Sequence, residues 1–194
     1  MTPYDFALLA KQAYTDAPTV GSADSASRMH VYEVDDFGTV HVFRGSDDMA
    51  SWEADFDIAT TDVWGLGKVH AGFYAALAAI LPACLALPRP KAIAGHSLGA
   101  ALAILYAGVL AQQGCIVPVY AFEPPRLCAD SGLQKLLFDK CVPWIATRNG
   151  NDIVTQVPIS MTLPGPLRLI GSPSAPVDNA TDHSIDRVIA ALQA

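Results

Sequence analysis

Charge is scarce in this chain. Only 16% of its 194 residues are Asp, Glu, Lys or Arg, and 12 basic residues face 19 acidic ones, for a formal charge of −7. The basic residues form no stripe, which argues against nucleic acid as a partner. The same acidic balance disfavours tight docking on anionic membranes, though not contact with neutral lipid or soluble esters. The solvating charge of a disordered chain is also missing, while 52% of the residues are hydrophobic. That composition suits one well-buried domain over residues 1–194.

Other features are missing as well. The opening Met1-Thr2-Pro3-Tyr4-Asp5-Phe6 has no basic stretch of the kind that starts a signal peptide, and its apolar run ends by Ala10. A cytoplasmic location is the default expectation. Two long uncharged stretches, 71–88 and 97–122, are broken by Pro82 and by Gln112-Gln113-Gly114, so buried helices explain them better than membrane spans do. The four cysteines (Cys84, Cys115, Cys128 and Cys141) show no C-x-x-C spacing and no paired histidines, so zinc is not expected and nothing demands a disulfide. No metal and no cofactor is expected. No repeat or low-complexity linker divides the chain.

What is present alternates. Phe6, Leu9, Ala10 and Ala13 have helical spacing. Strand-like runs at 28–34 and 39–44 flank the turn Asp35-Asp36-Phe37-Gly38. A short helix is expected over 47–57, with Met49, Trp52 and Phe56 on one side, and a longer one over 71–86, with Phe73, Leu77, Ile80 and Leu81 as its stripe. Strands are expected at 91–94, 117–122, 143–147 and 167–170, and helices after residue 97, near 132–139 and from about His183. Strands alternating with helices imply an α/β fold, a three-layer sandwich with a mainly parallel central sheet.

Gly95-His96-Ser97-Leu98-Gly99 lies where an apolar strand gives way to an apolar helix. This is G-x-S-x-G in the setting of a nucleophile elbow, where a sharp turn tolerates no Cβ on either side and presents a serine hydroxyl at a helix N-terminus. A serine needs a base, and the base needs an orienting acid, in chain order serine, acid, histidine. His183 is the only histidine after Ser97; His96 is expected to be a packed neighbour, because consecutive strand residues face opposite ways. Candidate acids are Glu123, Asp130, Asp139, Asp152, Asp178 and Asp182. Asp152 stands in a turn just past a strand, and Glu123 also ends a strand; both are places where reactive groups collect in α/β sheets. The backbone N–H of Leu98 and the turn Arg44-Gly45-Ser46 are the candidate oxyanion donors.

Several ordered motifs share a pattern: Val42-Phe43-Arg44-Gly45-Ser46, Trp52-Glu53-Ala54-Asp55-Phe56, Val69-His70-Ala71-Gly72-Phe73, the elbow, Tyr120-Ala121-Phe122 through Pro125-Arg126, Asn151-Asp152-Ile153-Val154 through Pro158, and His183. The chain thereby resembles the class 3 lipases, the group that includes fungal triacylglycerol lipases and feruloyl esterases. The resemblance covers most of residues 39–190 and implies an α/β-hydrolase fold. It also implies Ser97 as nucleophile, His183 as base, Asp152 as orienting acid, Ser46 with Leu98 at the oxyanion, Asp55 steadying Ser46, and residues 47–57 as a lid. Glu123 departs from the pattern, which has glycine there. The lid carries Asp47, Asp48, Glu53 and Asp55 around three large apolar groups, so it covers little apolar surface. The expected activity is carboxylic ester hydrolysis favouring short or soluble esters, with at most transient contact with a lipid interface. A phospholipid acyl hydrolase and a non-catalytic binding module of the same fold are the alternatives. The sequence is silent on oligomeric state.

Overall fold

A computed structural model of the protein describes residues 1–22, 24–25, 27–45 and 58–193. The expected lid segment and helix at 47–57, Ser46 and Asp55 lie outside the described residues.

The central sheet is built around β6 (Ala92–His96), every residue of which is buried. A strand with apolar residues on both sides needs cover on both faces, and parallel neighbours joined by helices provide it. β3 (Gly38–Phe43) lies parallel on one side of β6; β7 (Val119–Phe122), β8 (Trp144–Asn149) and β9 (Arg168–Ile170) follow in parallel on the other. Antiparallel β2 (Arg28–Val34) and the two-residue β1 (Val20–Gly21) close the β3 edge, giving the order β1-β2-β3-β6-β7-β8-β9. The register sets Phe43 beside Gly95 and His96 beside Phe122, so three strands end together around the elbow.

Side-chain alternation divides the core between two faces. Ala92 and Ala94 join Val40, Val42 and Phe122 under α1 (Pro3–Gln12) and the C-terminal α5 (Ile185–Gln193), with Phe6, Ala10 and Val188 as the helical contribution. Ile93 and Phe43 point the other way, into the cluster formed with α2 (Ala71–Ala86) and α3 (Leu98–Gln112). α3 is buried from Leu98 through Ala111 with no polar face, because it lies between the sheet and α2. That position accounts for its lack of charge. No helix among the described residues is long and apolar enough to cross a membrane. α4 (Gly132–Asp139) packs against α3 through Leu133.

Besides the unanticipated β1, a 3-10 turn at Val154–Gln156 and shifts of one or two residues at the ends of β3, β6, β7 and β9, three features differ from the sequence expectation. The hairpin of β4 (Thr60–Val63) and β5 (Gly67–His70) was not anticipated. Its strands are four residues each, too short for a clear period, and its loop tucks Leu66 fully into the core. The second is β8, which runs to Asn149, two residues beyond the expected end, so the turn that carries Asp152 starts later. The third is the expected start of the last helix, where His183 instead closes a separate 3-10 turn, Thr181–His183, ahead of α5.

Candidate active site

Ser97 joins β6 to α3 with φ 59° and ψ −130°, a conformation that costs a non-glycine residue on the order of 1–3 kcal/mol and persists only where its surroundings enforce it. They do so here. The Ser97 N–H donates to the Phe122 carbonyl at 2.9 Å, and its own carbonyl accepts from Ala100 at 2.9 Å to begin α3. A Cβ on Gly95 would collide with the Gly99 carbonyl, and one on Gly99 with the Phe43 carbonyl at the end of β3. Both glycines of the motif are therefore steric necessities, and the elbow presses directly against the strand that leads into the Arg44-Gly45 turn. Leu98, as the first helical residue, offers its N–H at the positive end of α3.

Asp152 and His183 meet although 31 residues separate them: His183 Nδ1 lies 3.0 Å from Asp152 Oδ2, with both side chains buried. Asp152 is fixed from the other side, where its Oδ1 accepts the Val154 N–H at 2.9 Å. The loops that carry the two residues are laced together. Asn179 N–H donates to the Asn151 carbonyl at 2.8 Å, and Ile153 N–H to the Asn179 carbonyl at 3.2 Å. Asp182 adds to the lacing without facing the imidazole: it is wholly buried and accepts from Asn151 N–H at 2.9 Å, from Ser174 N–H and Asn179 Nδ2 at 3.1 Å each, and pairs with Arg187 at 3.1 Å. Burial alone would raise its pKa, but the hydrogen bonds from Asn151, Ser174 and Asn179 outweigh it and hold the carboxyl at about 2. The other ring nitrogen of His183, Nε2, is buried and has no hydrogen-bond partner among the described residues.

His96 does more than pack. Its Nδ1 lies 2.8 Å from the Tyr14 hydroxyl, and its Nε2 lies 3.0 Å from the His183 carbonyl and 3.1 Å from Glu123 Oε2. Burial, then the nearby His183, holds its pKa well below the ordinary histidine value, so the ring is neutral. A carbonyl only accepts, so Nε2 carries the proton and donates to His183, while Nδ1 accepts from Tyr14. Nothing in the local sequence signals this, because Tyr14 is 82 positions away. His96, Glu123 and His183 bring their ligand atoms within 4.8 Å of one another.

The remaining acid candidates are Asp130, Asp139 and Asp178. Asp178 pairs with Arg148 at 2.6 Å, and Asp130 caps the Gly132 N–H at 2.8 Å, while the short α4 ends at Asp139. The four cysteines are free thiols. A cavity of 560 Å³ between α4 and the start of β8, lined by Leu137, Phe138, Trp144 and Pro164 among others, contains none of the site residues.

A mostly parallel sheet, a strained serine between strand and helix, and an acid–histidine pair on the loops beyond the strand ends define a protein of the α/β-hydrolase fold. Residues 40–161 match the family model Lipase (class 3), and the chain belongs to that family. Membership makes it a carboxylic ester hydrolase. The fold is shared with a lipase from Rhizopus microsporus var. chinensis at 20% identity and a TM-score of 0.71, over 98% of this chain and 83% of that one. Rhizomucor miehei triacylglyceride lipase is similar at 20% identity and a TM-score of 0.67, over 93% of this chain and 90% of that one. So is the mono- and diacylglycerol lipase from Aspergillus oryzae, at 20% identity and a TM-score of 0.67, over 94% and 84%. No curated protein matches the chain.

Proposed function

We propose that the protein hydrolyses carboxylic esters through an acyl-enzyme on Ser97, within a single domain spanning residues 1–194 and without a cofactor. His183 takes the Ser97 proton through Nε2 as the hydroxyl attacks the ester carbonyl, and returns it to the departing alcohol. Water then repeats the cycle on the acyl-enzyme. Asp152 fixes the ring with Nδ1 protonated, leaving Nε2 to act as base, and stabilises the imidazolium formed at each transfer. The Leu98 N–H, together with Ser46, receives the oxyanion, and Asp55 steadies Ser46.

The observation that carries this reading is the 3.0 Å contact between His183 and Asp152 on a loop whose carbonyl is tied to His96, the residue next to Ser97. The strain at Ser97 favours catalysis over a binding role, since a plain turn would not need it. With few apolar and many acidic residues over 47–57, the expected substrates are short or soluble esters rather than emulsified triglyceride. Phospholipid acyl hydrolysis is the competing substrate class.

Turnover of p-nitrophenyl butyrate, emulsified triglyceride and phosphatidylcholine by the wild type and by Ser97→Ala tests the reading. The butyrate is expected to be the best substrate, with no jump when triglyceride passes its solubility limit, and Ser97→Ala is expected to lower kcat on the order of a million-fold. A Ser97→Ala rate within tenfold of wild type would overturn the mechanism, and a preference for the emulsion or the phospholipid would overturn the substrate class.

A further inference from the structure

The proposed mechanism leaves one buried carboxyl idle. Glu123 directly follows β7 in left-handed backbone, φ 54°, and its side chain is wholly buried. Both features are unfavourable for a glutamate, one sterically and one through desolvation. Its Oε2 lies 3.1 Å from His96 Nε2 and 3.7 Å from His183 Nδ1, the same ring nitrogen that Asp152 reaches at 3.0 Å. The backbone N–H of Asn149 also faces this carboxyl and works against the effect of burial. Two carboxyls from neighbouring strand ends thus converge on one nitrogen.

We propose that Glu123 is a second positioning carboxyl for His183: it holds His96 against the His183 carbonyl, and it takes over the Nδ1–H of His183 when Asp152 cannot hold it. This rests on the reading of His183 as the base. The groups facing Glu123 are His96 from β6, Asp152 from the loop after β8, His183 and Asp182 from the 3-10 turn, and Arg187 from α5, with Tyr14 behind His96. Burial first, and the Asp152 charge second, push the Glu123 carboxyl up to about 10, so it is a neutral acid in the intact site. Two carboxylates cannot both ionise cheaply beside one imidazole. Removing the Asp152 charge lifts one of the two main causes, and the imidazolium formed during turnover supplies a counter-charge. Glu123 then releases its proton to water, and its carboxylate accepts Nδ1–H; no other bond changes.

A double-mutant cycle tests this: Asp152→Ala, Glu123→Gln and the pair, with kcat and KM on p-nitrophenyl butyrate followed from about pH 6 to pH 10 and folding checked by circular dichroism. Asp152→Ser is the parallel variant, since its hydroxyl still caps the Val154 N–H should alanine not fold. Glu123→Gln alone is expected to lower kcat about threefold to tenfold, whereas adding it to Asp152→Ala lowers kcat by about a hundredfold or more with little change in KM. The Asp152→Ala rate is expected to climb on the alkaline side, and the climb to vanish in the double variant. Asp152→Asn is expected to be slower than Asp152→Ala, because the amide oxygen stays on Val154 N–H and its NH₂ faces Nδ1, forcing the wrong tautomer. Independent effects of the two substitutions, or no alkaline climb in Asp152→Ala, would overturn the proposal. Failure of the Ser97 mechanism shows separately, as activity surviving in Ser97→Ala.

Discussion

His183 Nδ1 has Asp152 at 3.0 Å and Glu123 at 3.7 Å, and the environment of each carboxyl separates their behaviour. Asp152 has a backbone N–H from Val154 on its far oxygen, whereas at Glu123 burial and the neighbouring Asp152 charge outweigh the backbone N–H of Asn149. Glu123 therefore lowers stability at working pH. Between its ordinary value of 4.5 and about 10 the native state keeps a proton that the unfolded chain has released, so stability falls as pH rises through that window. Glu123→Gln is expected to raise Tm at about pH 8 and to leave it nearly unchanged below pH 4.5, where both states carry the proton. Thermal melts at the two pH values check this; an equal shift at both would contradict it.

The loops beyond β8 and before α5 behave as one element because Asp182 binds both. It grips the Asn151 N–H next to Asp152 while its own carbonyl accepts Asn149 Nδ2 at 2.8 Å and its neighbour is His183. Its depressed pKa gives the opposite sign from Glu123: the stabilisation is complete above the ordinary value of 3.8 and is lost as pH falls towards about 2. Asp182→Asn is expected to lower Tm most near neutral pH and to differ little from wild type at about pH 2, and its kcat is expected to fall with the loosened Asp152–His183 contact. Melts and kinetics across that range check both. A Tm deficit that persists unchanged at the acid end would contradict the assignment. The elements were largely legible in the sequence where period and length agreed: the helix expected over 71–86 has those bounds, and β2 those of the strand expected over 28–34. The elbow was legible because Gly95 and Gly99 have no steric alternative. The short β4–β5 hairpin was not, since tertiary packing of Leu66 rather than local pattern decides it. Nor were the roles of His96 and Asp182 in the site. Strand alternation predicts a packed position for His96, and Asp182 is one of six candidate acids in the sequence, but contacts with Tyr14 and with Asn151, 82 and 31 positions away, define what each does.

At the scale of the molecule, the low charge noted first has a structural cause. α3 is surrounded on all sides and β6 is buried throughout, so a large share of the chain has no surface on which to display charge. That rigid centre positions Ser97, and the strand ends around it position Glu123 and the Asp152 loop. His183 arrives last in the chain, on a loop fastened to both. The proposed acyl-enzyme requires Ser97 to be a nucleophile activated by His183, and the most direct measurement is reaction of the folded protein with a fluorophosphonate, with the adduct mapped by peptide mass spectrometry. One adduct is expected, on Ser97, absent in Ser97→Ala and formed at least about a hundredfold more slowly in His183→Ala. An unmodified Ser97, or labelling that His183→Ala leaves as fast as in the wild type, would contradict it.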